Sequence, residues 1–297
     1  MTTASSTSAA NLRGILAMVI AVGAYSVMDA ALKTISHHYP ALQVASMRGL
    51  VALPLVALYV VWRKQVPSLR KVRWPLHLLR MGVGVAMMSL FVTALRSLGL
   101  AEAYTLFFIA PLLITVLSIP VLQERVRPRH WWALAGGLCG VVVALRPNQG
   151  AFLSLGALAV LGSAVCYAVS SITGRVLSRT DSTEALVFWA TSGLAVGAGV
   201  LAWPQWVMVL PSDAPMLAVI AVSGFVGQLA ITEAFRHGQA AVVAPFEYTA
   251  LAWGVALDGV LWHTAPDQNT LLGGAIVMAC GLWVVRQERT RERVVTP

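Results

Sequence analysis

The chain contains uncharged runs that are long enough to cross a lipid bilayer. Four are clear: 103–123 with 21 residues, 147–174 and 185–212 with 28 each, and 268–285 with 18. About 20 apolar residues in an α-helix span the hydrocarbon core. Charged residues make up 11% of the chain and hydrophobic residues 58%, whereas roughly 25% of an ordinary soluble domain is charged. The sequence therefore excludes a water-soluble globule.

Apolar runs bounded by proline, glycine or charge predict ten spans. These are 13–36, 41–62, 75–96, 101–121, 130–146, 153–176, 184–203, 214–236, 240–261 and 269–287. Helices are expected rather than strands, because the runs are about twice as long as a membrane strand and do not alternate. The predicted fold is an all-α integral membrane protein with ten transmembrane helices, flanked by a polar tail (1–12) and a basic tail (288–297).

The basic residues predict the orientation. The net charge of +9 does not indicate nucleic-acid binding, because Lys and Arg lie in short connectors without interleaved surface aromatics. With the N-terminus inside, 17 of the 21 Lys and Arg residues fall on the cytoplasmic side, Arg80 among them, and Arg48 lies within the second span. Both termini are therefore expected to be cytoplasmic. The first run also imitates a signal peptide, but a span is the simpler interpretation.

The two halves of the chain resemble each other. The matches are Tyr25-x-Val27 with Tyr167-x-Val169, Ala94-Leu95-Arg96 with Ala234-Phe235-Arg236, and Cys139-Gly140 with Cys280-Gly281. Their offsets are 142, 140 and 141 residues. This order predicts a duplicated five-helix unit, 13–146 and 153–287, whose odd helix number inverts the second copy in the membrane. Chance similarity between two Ala-, Leu-, Gly- and Val-rich segments is the alternative.

Two stretches resemble a known family. From Tyr25 through Lys33 and Pro40 to Arg48, the sequence is similar to the first two helices of the ten-helix, EamA-like branch of the drug/metabolite transporter superfamily. The run 106–145 resembles its fourth and fifth helices, including a proline in the fourth helix and the Glu124-Arg125 pair after it. The likeness covers residues 14–287 and is greatest to bacterial aromatic amino-acid exporters.

The resemblance implies two inverted five-helix repeats around a central cavity and the export of small metabolites from a bacterial cytoplasm. It also implies that helices 1, 3, 4, 6, 8 and 9 line this cavity, with helices 5 and 10 as outer support. The second copy departs from the pattern, with His263 at the place of Glu124 and Ala190 at the place of Arg48. Glu124 and Arg48 are therefore expected to serve loops or topology rather than substrate.

Ionisable residues inside a bilayer are costly and should face a wet cavity or a partner. Asp29 can pair with Lys33 four residues later, so a structural ion pair and a substrate or gate role both remain open. Glu247 and Asp258 are eleven residues apart and share one face if the ninth helix is regular.

Pro111 suggests a substrate site in the fourth helix. A proline there leaves the Phe107 carbonyl without its usual amide partner, so that oxygen can accept from a substrate ammonium. A simple bend, with Phe107 bonded to a neighbouring hydroxyl, is the alternative. The candidate binding residues from all these arguments are Tyr25, Asp29, Met88, Phe91, Tyr104, Phe107, Phe108, Pro111, Tyr167, Gln228, Glu247 and Trp253, with Tyr25, Tyr104, Phe108 and Trp253 as walls.

The sequence therefore predicts a secondary transporter of the bacterial inner membrane that exports amino acids, aromatic or large apolar ones, or similar small metabolites by alternating access. No phosphate-binding loop is present for ATP-driven transport. Broad drug and metabolite efflux is the alternative within transport, and an integral membrane enzyme is the alternative from another class. We expect no cofactor, no metal and no nucleic-acid partner; the partners are a small-molecule substrate and lipid. The oligomeric state stays open between a monomer and a homodimer.

Overall fold

The computed structural model describes residues 2–122, 154–237 and 244–295, with scattered positions between 132 and 143, and these parts are helical without strands. Six stretches are long and apolar enough to cross a membrane: Leu12–Ser36, Ala41–Trp62, Trp74–Leu95, Leu155–Leu177, Thr183–Gln205 and Pro211–Ile231. The prediction of an all-α fold is confirmed for the described residues. Most of the predicted span 130–146 lies outside the described residues.

The helices follow the predicted spans closely where the chain is regular. In chain order they are α1 Thr2–Ser36, α2 Ala41–Trp62, α3 Trp74–Leu95, α4 Leu100–Phe107, α5 Ala110–Leu122, α6 Leu155–Leu177, α7 Thr183–Ser192, α8 Ala198–Ala202, α9 Ala214–His237, α10 Thr249–Trp262 and α11 Gln268–Val295. Serine caps begin two of them, because the side chains of Ser154 and Ser182 accept from the N–H groups of Ala157 and Ala185.

Two predicted spans are broken rather than continuous. The fourth divides into α4 and α5 around Phe108 and Ile109, since Pro111 has no N–H to donate to the carbonyl of Phe107. The ninth begins as a 3₁₀ segment, Ala244–Tyr248, and becomes α-helical only at Thr249. Glu247 lies in that segment, so the regular-helix geometry that put it on one face with Asp258 does not apply.

Two further helices are irregular near their middle. The seventh span contains a π-helical segment, Gly193–Gly197, between α7 and α8. In α2, Pro54 lies inside a helix that continues to Trp62. The backbone of α2 passes close to the π segment, where the Ser46 hydroxyl donates to the Ala195 carbonyl at 2.7 Å.

Long helix pairs organise the bundle: α1 packs along α9, and α3 packs along α6. One buried cluster joins α3, α4, α6 and α10, with Leu95, Leu100 and Leu106 among its members. A second joins α1, α2, α3 and α9, and includes Leu32 and Ile220.

Polar contacts tie the connectors together at one end of the bundle, which we call the Tyr39 end. It comprises residues 37–40, 97–99, 206–213 and 263–267. The Tyr39 hydroxyl donates to Asp213 at 2.6 Å and accepts from the N–H of Leu210 at 2.9 Å. Lys33 forms an ion pair with Asp258 at 3.2 Å, and both side chains are buried.

The opposite end, the Arg73 end, comprises residues 63–73 and 178–182. Here the buried Asp181 carboxylate lies 2.9 Å from His77 Nε2 and accepts from the N–H of Arg73 at 3.2 Å. Burial by itself raises the pKa of Asp181, but hydrogen bonds from Thr180, His77 and Arg73 outweigh it and lower the pKa below its usual value.

This lowered pKa predicts an acid-sensitive contribution to stability. Because the folded pKa lies below the unfolded value of about 3.9, the ionised carboxyl stabilises the fold above that value and the stabilisation is lost as the pH falls through the folded pKa. Asp181→Asn should cost about 1.5–3 kcal/mol at pH 7 and progressively less below about pH 4. Unfolding in detergent, measured from pH 7 to pH 3, tests this. A difference that stays constant across the range would contradict it.

Candidate functional site

A cavity of about 340 Å³ lies in the middle of the bundle. Its walls come from α1, α2, α3, α6, α7 with the π segment, and α9. The family resemblance implied that the fourth and ninth predicted spans line the cavity. Among the described residues, the second and seventh spans line it instead, as α2 and α7, and α9 is the eighth predicted span. A volume of this size lies in the range of small-molecule sites, about 300–1,000 Å³.

Positions at equal offsets in the two halves line this central cavity together. Fourteen of its nineteen lining residues form pairs at offsets of 142 residues in the first two helices of each half and 140 in the third. The pairs are Tyr25 and Tyr167, Met28 and Ser170, Arg48 and Ala190, Gly49 and Thr191, Ala52 and Leu194, Arg80 and Ile220, and Gly84 and Gly224. The cavity therefore receives matching positions from both halves.

Two arginines give the central cavity its charge. Arg48 Nη1 donates to the Met88 sulfur at 3.0 Å, a weak acceptor, and Arg80 Nη1 donates to the Leu186 carbonyl at 3.1 Å. The Arg80 Nε atom is buried and has no hydrogen-bond partner among the described residues. None of the described lining residues is Asp or Glu. The cavity is therefore electropositive.

Neutral polar groups complete the lining. The Tyr25 hydroxyl donates to Gln228 Oε1 at 3.0 Å, which joins α1 to α9 across the cavity wall. Tyr167, Ser170 and Thr191 contribute to the lining from α6 and α7. Tyrosines combine an apolar ring with a polar hydroxyl, so these walls can hold a small molecule that has both kinds of surface.

Asp29 and Lys33 do not form the pair that their spacing suggested. Asp29 instead accepts from the Tyr104 hydroxyl at 2.9 Å. Lys33 binds Asp258 on α10, and its ammonium lies 4.1 Å from the centre of the Trp262 ring. The i, i+4 spacing on α1 allowed a local pair, but the carboxylate at 258 lies closer to the end of the Lys33 side chain in the folded bundle.

Three of the predicted aromatic site residues, Phe91, Phe107 and Tyr167, pack on one another, and of these three only Tyr167 lines the central cavity. The Phe91 and Phe107 rings lie 5.8 Å apart, and those of Phe107 and Tyr167 lie 5.3 Å apart. The Phe108 ring contacts Tyr248 at 5.1 Å. This aromatic group belongs to the buried core and reaches the cavity wall at Tyr167.

The other candidates are dispersed. Met88 is buried, and its sulfur accepts a hydrogen bond from the cavity residue Arg48. Trp253 is 38% exposed and lines an apolar groove with α1 and α9. Of the predicted binding residues, the described structure brings Tyr25, Tyr167 and Gln228 to the central cavity.

The described residues thus form a helical bundle around a cavity that has the size of a small-molecule site. The sequence model of the EamA-like transporter family matches residues 12–146 and again residues 154–286. The chain belongs to the EamA-like transporter family. It is therefore a multi-pass membrane transporter, as its residues predicted.

Curated relatives of this EamA-like transporter cover nearly the whole chain. A pseudopaline exporter of Pseudomonas aeruginosa is 28% identical over 90% of this chain and 94% of its own length. A riboflavin transporter of Vibrio cholerae is 26% identical, covering 95% and 96%. An S-adenosylmethionine uptake transporter of Rickettsia prowazekii is 22% identical, covering 94% of each. None of these three names concerns an aromatic amino acid, so that finer resemblance stays a prediction.

A solved crystal structure shares the fold. It superposes with a TM-score of 0.63 at 19% identity and covers 94% of this EamA-like transporter and 98% of its own chain. At this identity, the likeness concerns the fold alone.

Sequence reasoning missed the two cavity arginines. Arg48 was expected to serve loops or topology and Arg80 was counted on the cytoplasmic side, yet both line the central cavity of this transporter. The positions of these two arginines relative to the predicted spans could have indicated their role. A guanidinium that lies inside or near a span is costly toward lipid, which favours a wet interior.

Proposed function

We propose that this EamA-like protein is a secondary transporter that exports small carboxylate-bearing metabolites from the bacterial cytoplasm, amino acids with aromatic or large apolar side chains among them. The observation that carries the proposal is the central cavity. It has the size of a small-molecule site, it combines arginine, tyrosine and apolar lining, and matching positions of both halves form it.

The proposed architecture is ten transmembrane helices in two inverted five-helix repeats, 13–146 and 153–287, with both termini in the cytoplasm. The paired lining positions support this arrangement, because equal offsets meet at one cavity. The family matches support it too, since the second begins 142 residues after the first. Inverted repeats around a central site favour alternating access.

The cavity lining argues against the two alternatives. Its described residues include no carboxylate, imidazole or thiol that could act as a general acid, general base or nucleophile, which disfavours a membrane enzyme. Its fixed positive charge favours a defined substrate class over broad efflux.

Transport of labelled phenylalanine and tyrosine into liposomes containing the purified protein, with and without a proton gradient, tests the proposal. Empty liposomes provide the background. Protein-dependent movement that saturates with substrate is the expected result. The absence of such movement for these amino acids and for other carboxylate metabolites would contradict the proposal.

Two glycines on α3 provide a matched pair for this assay. A Cβ added at Gly84 or at Gly82 meets no atom within 4 Å, but only Gly84 lines the central cavity, as far as the described residues show. We expect Gly84→Leu to lower the transport rate at least about tenfold by filling the cavity, equivalent to about 1.4 kcal/mol. Gly82→Leu should transport normally. Equal rates for the two variants would show that substrate does not pass through this cavity.

A further inference from the structure

We propose that the central cavity selects organic anions and holds the acidic group of its substrate between Arg48 and Arg80. This inference rests on the proposed function and names the substrate class of the same site. A net-negative substrate, such as a dicarboxylate or an acidic amino acid, is expected to bind better than a neutral molecule or a zwitterion of the same shape.

The charge of the lining gives the first argument. Two arginines, Arg48 and Arg80, line the cavity, and no Asp or Glu is among its described lining residues. Asp29, with which Arg48 interacts electrostatically, is not among the described lining residues. For Arg80, no ion pair occurs within the described parts of the chain. A cavity with one sign of charge and low-dielectric walls concentrates ligands of the opposite sign.

The hydrogen bonds of Arg80 give the second argument. Its Nη1 atom is occupied by the Leu186 carbonyl at 3.1 Å, whereas its buried Nε–H has no acceptor among the described residues. A buried donor without a partner is unfavourable, and a carboxylate can accept from Nε and Nη of one guanidinium together. A bound acidic group would therefore accept the hydrogen bond that the Nε–H group of Arg80 does not make to the described residues.

The asymmetry of the paired positions gives the third argument. Arg48 is matched by Ala190 and Arg80 by Ile220, so both charges come from the first half of the chain. The second half contributes the neutral hydroxyls of Ser170 and Thr191. The positions are paired between the halves, but the charges of their side chains are not. The substrate therefore has one orientation, with its acidic group toward α2 and α3 and its remainder toward α6 and α7.

Binding to the purified full-length protein in detergent tests the inference with ligand pairs of equal shape. Succinate is compared with succinamide and glutamate with glutamine, and the midpoint of thermal unfolding is followed against ligand concentration, because a ligand of the folded state raises it. We expect the anion of at least one pair to raise the midpoint with at least about tenfold higher apparent affinity than its neutral partner, a difference of about 1.4 kcal/mol.

Variants locate the effect. Arg48→Met and Arg80→Met should each reduce the anion affinity at least about tenfold, and Arg80→Lys should retain part of it because the charge remains without the planar fork. Arg179→Met removes an exposed arginine from the connector after α6 and should bind like the unmodified chain. If an arginine variant does not fold, the comparison of anion and neutral ligand on the unmodified protein still decides.

Equal binding of both members of every pair would overturn the inference, as would the absence of binding by any anion or an unchanged affinity in both arginine variants. The liposome assay separates this inference from the proposed function. Transport of neutral amino acids as fast as acidic ones contradicts the anion selectivity alone, whereas anion binding without any transport contradicts the proposed function alone.

Discussion

Replacing Lys33 with methionine should destabilise the protein by about 3–5 kcal/mol, because it leaves the carboxylate of Asp258 buried without its partner. The pair is 3.2 Å long, and the two side chains are 9% and 4% exposed. Asp258 also accepts from the N–H of Ala101 at 2.9 Å, so the same carboxylate fixes the start of α4. The thermal unfolding midpoint in detergent measures the loss.

Three further variants separate the ion pair from a general loss of packing. Lys71→Met removes an exposed lysine at the Arg73 end and should leave the midpoint unchanged. Adding Asp258→Asn to Lys33→Met removes the stranded charge and keeps an acceptor for Ala101, so the double variant should recover much of the stability. The Asp258→Asn single variant completes the cycle, and a double variant as unstable as the sum of the two single changes would show that the two side chains are not coupled.

Gly49→Ala should be the second severe change, at about 3 kcal/mol, the upper end of what overpacking usually costs. A Cβ at this position would overlap the Ala195 amide nitrogen and lie 2.7 Å from the Ala195 Cα. Both are backbone atoms of the π segment, so no side-chain rotation relieves the overlap, and α2 must move away from it. The folded yield and the unfolding midpoint in detergent report the effect.

Gly82→Ala is the control for that substitution, since its added Cβ meets open space on the neighbouring helix α3. It should be neutral or slightly stabilising, because alanine favours a helix more than glycine does. If the two alanine variants unfold at the same temperature, the close approach of α2 to the π segment is unimportant for stability.

Helix positions were predictable where a local signal set them. The span 41–62 was predicted residue for residue and α3 to within one residue, because proline, glycine and charge bound these apolar runs. Partners were not predictable, since Lys33 and Asp258 are 225 residues apart in sequence. The sequence shows that Asp29 lies four residues before Lys33 on one helix. It cannot show that the end of another helix brings the Asp258 carboxylate closer to Lys33.

The candidate site was predictable only in part, for a related reason. Tyr25 and Tyr167 were identified through the internal repeat, and both line the central cavity. Phe108 was predicted as a wall of the site around Pro111, but the helix breaks at Phe108 and Ile109, and Phe108 packs on Tyr248 in the core. Arg48 and Arg80 required knowledge of which helix face meets the cavity, and a single sequence does not contain it.

The irregular stretches of α2 and of the seventh span have a mechanical consequence. Pro54 is 142 residues before Val196, which lies within the π segment Gly193–Gly197. Each interrupts the regular hydrogen-bond ladder of its helix, one by lacking an N–H and the other by shifting to longer i→i+5 bonds. Such interruptions are the places where helices bend. Both helices therefore offer a point at which they can bend, at positions 142 residues apart in the sequence, although a proline provides it in α2 and longer hydrogen bonds provide it in the seventh span.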